Sequence, residues 1–182
     1  MHSLSKRIVT GNDARGRSRA VINDSAARRG LTAEIWRTGS AAVAALTGQV
    51  PPPSVVLEPP HGGSVFRFFQ IGPEQNELHL GKAEREQLYA RHFQTMEASH
   101  CRPDTSRHPG MHRTATVDYI VLLTGRVTLL LDDDEIDLEP FDVVVQRGTN
   151  HAWVNRGNIP ALLLAVMIDA AEMRAERLTN QT

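Results

Sequence analysis

HPGMHRTATVDYIVLLTGRV (His108–Val127), followed after a second strand pair by QRGTNHAWVN (Gln146–Asn155), is the stretch whose reading decides the fold. Side chains two apart on an extended strand share a face, so His112, Thr114, Thr116 and Asp118 point one way while Val117 and Tyr119 point the other. His151, Trp153 and Asn155 form a second such row. If the two strands face each other in a small barrel, two imidazoles and one carboxylate converge in its interior. That donor set suits divalent iron and related metals and leaves positions open for water or substrate. A polar row inside a barrel costs free energy unless it is hydrogen-bonded or metal-bound, so it calls for a functional explanation.

Outward from this stretch the chain reads as short strands. Tyr119–Gln146 reads as three strands with two tight connections, at Thr124-Gly125 and at the acidic cluster Asp132-Asp133-Asp134. The cluster lacks the spacing and glycine of an EF-hand loop and reads as a solvated turn. ALLLAVMID (161–169) is an apolar strand, and AEMRAERL (171–178) reads as a closing helix. Upstream, VFRFFQI (65–71) is a strand. Residues 82–98 switch to a helical pattern, with Leu88, His92 and Met96 at i, i+4 and i+8, Tyr89 and Phe93 beside them, and Glu84 and Glu86 in the first turn. One helix amid strands is either a lid over an opening or a helix packed outside the barrel. The first sixty residues give short strands at 6–10, 19–22 and 32–37 between turns. SAAVAALTGQ (40–49) is ambiguous between helix and loop, and the prolines of VPPPSVVLEPPHGGS (50–64) make an extended connector. The expected division is an extension over 1–60, its strands adding to the sheet of the main body or of a partner subunit, and a barrel over 61–182.

Composition narrows the function classes. A chain of 182 residues, 41% hydrophobic, fits one globular domain. A net charge of −1 gives no footprint for nucleic acid or an anionic membrane surface. The single cysteine, Cys101, excludes an internal disulfide. No apolar run has the length of a signal peptide core or a membrane span, so a cytoplasmic location is expected. Neither a glycine-rich phosphate loop nor a G-x-S-x-G elbow is present.

The spacing around the two histidine rows resembles the cupin superfamily, whose motifs are G-x5-H-x-H-x3-4-E-x6-G and G-x5-P-x-G-x2-H-x3-N. Placed on Gly125, the first motif puts its acid at Asp118, its histidines at His112 and Thr114, and its opening glycine at Ser106. The second finds Gly148, His151 and Asn155 in place, with Gln146 at the proline position. The resemblance covers roughly residues 105–170. It implies an all-β jelly-roll barrel, here with an N-terminal β extension and an inserted helix. It also implies a divalent metal (Fe, Mn, Ni or Zn) held by His112, His151 and Asp118, the alternative being hydrogen-bonded pocket histidines without a metal. Threonine at 114 is a poor ligand for such metals. Asp118 is one methylene shorter than glutamate, which fits either ligation or orientation of His112 from behind. His108 is a candidate extra ligand, and Thr114, Thr116, Arg126, Gln146, Trp153 and Asn155 are candidate pocket residues.

The resemblance implies a small-molecule enzyme. With a depleted ligand set, non-redox chemistry (decarboxylation, dehydration or isomerisation) on a small organic or aromatic acid is the first expectation. A dioxygenase and a non-catalytic binding module are the alternatives. A homodimer is expected, because the N-terminal strands lack partners within one jelly roll.

Overall fold

A computed structural model of the chain describes residues 6–26, 28–39 and 55–170. The expected helix over 171–178 and the ambiguous stretch 40–49 lie outside these residues, as does the first part of the proline-rich connector. The chain forms β1 (Lys6–Asn12), β2 (Ser18–Ser25), β3 (Arg28–Arg29), β4 (Thr32–Thr38), β5 (Ser64–Ile71), α1 (Lys82–Thr95), β6 (Thr116–Thr124), β7 (Val127–Leu130), β8 (Glu135–Leu138), β9 (Val143–Arg147), β10 (Ala152–Val154) and β11 (Ala161–Asp169). A six-stranded sheet in the order β3-β4-β5-β11-β6-β9 faces a three-stranded sheet, β10-β7-β8, and β1-β2 stands as a separate hairpin.

Strict alternation builds the core. Ile120 and Leu122 of β6, Leu163, Ala165 and Met167 of β11, and Val65 of β5 point inward against Val127, Leu129 and Leu138 of the smaller sheet. β6 and β7 lie in different sheets, so Thr124-Gly125 turns a barrel corner rather than closing a hairpin. Gly125 has φ 84°, and a Cβ there would lie 2.8 Å from Ala161 Cα, so both conformation and space require glycine.

One expectation changes. Tyr119–Gln146 holds four strands, because a third turn at Glu139–Asp142 separates β8 from β9. Its positive φ is carried by Phe141 at 76°, where neither Gly nor Asn marks it. β4 of the extension pairs along β5, so this part of the extension adds to the sheet of the main body. Among the described residues no helix is long and apolar enough to cross a membrane.

Candidate active-site pocket

His112 and His151 sit directly opposite each other in an antiparallel bridge, each N–H donating to the other's carbonyl at 2.8 and 2.9 Å. Directly opposed residues present side chains on one face at close range, which places the two rings 4.3 Å apart. Each ring is oriented by its own backbone. His112 Nδ1 lies 2.9 Å from the Gly110 carbonyl, and His151 Nδ1 lies 3.0 Å from that of Thr149. A carbonyl only accepts, so both Nδ1 atoms carry the proton and both Nε2 atoms keep a lone pair. Burial pushes His112 down to about 4 and His151 to about 3, the latter also repelled by His112, so both are neutral at pH 7.

α1 covers this pair. The pocket is about 170 Å³ and is roofed by Tyr89, His92 and Phe93 of the helix and by Met96 just after it. The Phe93 ring stands 5.0 Å from that of His112, and Trp153 closes the other side at 5.6 Å from His151. The helix is therefore a cover over the barrel opening. His92 brings a third imidazole to the lining, and burial lowers its proton affinity.

The floor is charged. Arg67 points inward from β5 and Asp118 from β6, and both line the pocket. Arg67 is paired with Glu34, its cross-strand neighbour on β4, at 3.3 Å, and donates to the Val56 carbonyl at 2.8 Å. Arg37 grips the same carboxylate at 2.9 and 3.1 Å, so two guanidiniums share one carboxylate. Desolvation lowers Arg67 to about 10, still protonated at pH 7. Desolvation also raises Asp118 to about 6, against a hydrogen bond from Thr116 and the charge of Arg67. Asp118 Oδ1 and Arg67 Nε are buried without a hydrogen-bond partner.

The sequence-derived residues thus divide. His112, His151, Asp118 and Trp153 share one pocket, but the first three are not a trio whose ligand atoms all lie within 4.8 Å of one another; among the described residues only Glu58, His100 and Cys101 are. Thr116 serves Asp118, and the Thr114 and Thr116 hydroxyls lie 2.7 Å apart behind it. Gln146 and Asn155 do not line the pocket. Gln146 binds the Thr149 carbonyl and hydroxyl, while the Asn155 amide donates to the Ile71 and Ile159 carbonyls and fixes the turn before β11. Arg126 is exposed and pairs with Glu139 at 2.7 Å, because the corner at Gly125 turns it outward. His108 faces a different cavity, beside Arg85 at 3.3 Å and Glu74 at 3.5 Å. Arg67 and Glu34 were missed. The available signal was an arginine at an inward position of the alternating VFRFFQI strand.

The model of the cupin domain matches residues 99–167, which contain both histidines, Asp118 and the strands that carry them. That segment is similar to a cupin domain. Its relatives include the phomopsin biosynthesis cluster protein D of Diaporthe leptostromiformis, 53% identical over 49 residues that make up 26% of each chain. The cupin-domain-containing oxidoreductase srdD of Neurospora crassa is 37% identical over 67 residues, 35% of this chain and 34% of the other. The matches therefore span only a quarter to a third of these relatives' length. Among solved structures, a cupin 2 conserved barrel domain protein from Salinispora arenicola aligns over 74% of this chain and 81% of its own, at 17% identity and TM-score 0.37.

Proposed function

We propose that the cupin domain binds a small organic acid beneath α1 and carries out non-redox proton-transfer chemistry on it, with a divalent metal held by His112 and His151. The observation that carries this reading is the pair of adjacent neutral imidazoles whose Nε2 lone pairs are left over by their backbone contacts. Metal-binding histidines characteristically donate their other N–H to a carbonyl in this way. A bound divalent metal would supply a Lewis acid that polarises a carbonyl or carboxylate of the ligand. Asp118, about 6 in this setting, exchanges a proton near neutral pH, where general acid–base catalysis is most effective.

The substrate class follows from the floor. Arg67 and Arg37 against Glu34 leave one buried positive charge in excess below about pH 6, where Asp118 holds its proton, and an anionic ligand group would balance that charge there. The walls are aromatic and aliphatic, and about 170 Å³ is below the roughly 300–1,000 Å³ of drug-sized sites. A small aromatic carboxylate fits both constraints. A redox reading is favoured by one observation, the description of srdD and of fogC from Aspergillus ruber as oxidoreductases. Against it stands the carboxyl of Asp118, which does not complete a compact trio with the two histidines.

Calorimetry with benzoate and benzyl alcohol tests the proposal. Benzoate is expected to bind at least tenfold more tightly than the alcohol, and Arg67→Leu is expected to erase that preference while Asp118→Asn keeps it. Equal binding of the two probes by the intact chain would overturn the acid-binding reading.

A further inference from the structure

A second histidine constellation lies on the far side of Phe93 from the pocket. His100 Nε2 is 2.9 Å from Glu58 Oε2 and 3.5 Å from Cys101 Sγ, so one nitrogen faces a carboxylate and a thiol together. One ring nitrogen has either a single proton or a single lone pair. The arrangement is thus better matched to a shared ion than to hydrogen bonds alone. Ligands on a tetrahedral zinc, with Zn–S of about 2.3 Å and Zn–N and Zn–O of about 2.1 Å, stand roughly 3.5 Å (S to N) and 3.4 Å (N to O) apart. The first distance is already met, and the second requires an opening of about half an ångström.

The three side chains come from two places, Glu58 on the connector and His100 with Cys101 on the 3-10 turn after α1. Glu58 lies in the connector, and its other oxygen, Oε1, accepts the Ala115 N–H at 2.9 Å. Cys101 ends the 3-10 turn Ser99–Cys101 after α1, with its N–H on the Ala98 carbonyl at 2.9 Å and its carbonyl on the Arg113 N–H at 2.7 Å. Cys101 is fully buried against Phe93, while the His100 side chain is 58% exposed and gives an ion a way in. Such outer contacts orient a donor set before the metal arrives.

We propose that Glu58, His100 and Cys101 form a zinc site, separate from the barrel histidines, with water in the fourth position. Thiolate, imidazole and carboxylate together select zinc over hard cations such as magnesium or calcium. On binding, the Cys101 thiol loses its proton to solvent and the S–Zn bond forms, so affinity rises with pH. The ion ties the connector, the exit of α1 and the approach to β6 together behind Phe93, and so fixes the wall that touches His112.

Because Cys101 is the single cysteine of the chain, cobalt(II) gives a direct readout. Titrating the full chain, kept reduced, with cobalt(II) is expected to produce a near-ultraviolet thiolate-to-cobalt charge-transfer band saturating at one equivalent and removed by zinc(II). The band should persist in His112→Ala and weaken at least tenfold in apparent affinity in His100→Ala and Glu58→Gln. Absence of the band in folded wild-type protein at excess cobalt would overturn the site. A band unchanged in both His100→Ala and Glu58→Gln would do the same, since it would report the thiol alone.

Discussion

The cavity bordered by Glu74, Arg85, Glu135 and Arg156 is about 710 Å³, and the pocket beneath α1 is about 170 Å³. In the larger one the charges are matched locally, although Arg85 Nε is buried without a hydrogen bond and meets Glu77 only at 3.9 Å. Arg85 meets Glu74 at 2.7 Å, Arg156 meets Glu135, and Arg107 binds the carbonyls of the β7–β8 turn. His108 is absorbed into the same network. In the smaller one a carboxyl oxygen and a guanidinium nitrogen are buried without partners, beside two imidazoles with lone pairs to offer. Volume alone would choose the first cavity. Unmet bonding capacity in an apolar enclosure chooses the second, because such groups cost free energy that a ligand can return.

The largest effect that would break this comparison concerns the shared carboxylate. Glu34→Ala leaves two buried guanidiniums without their acid and is expected to destabilise the fold by about 3–5 kcal/mol in chemical denaturation. A loss below about 1 kcal/mol would mean that the floor is wetter than described.

Asp118 gives the next effect, with a defined sign. Its native value of about 6 lies above its ordinary one, so between about pH 4 and 6 the native state holds a proton the unfolded chain has released. Stability contributed by this group is therefore present at low pH and lost as pH rises through that window. Asp118→Asn is expected to be more stable than the parent at pH 7, by up to about 3 kcal/mol, and equal to it below pH 4. His112 and His151 act oppositely. Their lowered values mean that acidification below about 6.5 destabilises the native state, as the unfolded chain takes up protons first. Denaturation of parent and Asp118→Asn across pH 4–8 separates the two signs, and parallel profiles would contradict the buried carboxyl.

The smallest effect belongs to the larger cavity. Arg156→Ala removes an exposed pair with Glu135 and is expected to change stability by no more than about 1 kcal/mol. It should leave benzoate binding untouched; weakened binding would move the ligand to the wrong cavity.

The barrel and its two central histidines were legible because both depend on local alternation. His112 and His151 fall where a polar row on an extended strand must point inward. Arg67 lay within the same rule, but its partner Glu34 sits on a strand separated from β5 by the proline-rich connector, and register across such a gap has no sequence signal. The cover over the pocket was ambiguous for a related reason. Tyr89, Phe93 and Met96 mark a helix face, yet only tertiary packing decides which surface it meets. The turn at Glu139–Asp142 escaped because Phe141 adopts a positive φ with no glycine to announce it. Asn155 followed the motif spacing and Arg126 its place after Gly125, while the turn and corner geometry direct them to the Ile71 and Ile159 carbonyls and to Glu139.

The central claim is that His112 and His151 hold a divalent metal through Nε2. Anomalous-difference density from crystals of the full chain grown with cobalt(II) tests it at atomic resolution. The account predicts a peak at about 2.0–2.2 Å from both Nε2 atoms, inside the pocket beneath α1. Two histidine rings with clear density and no peak between them, at saturating cobalt, would contradict it.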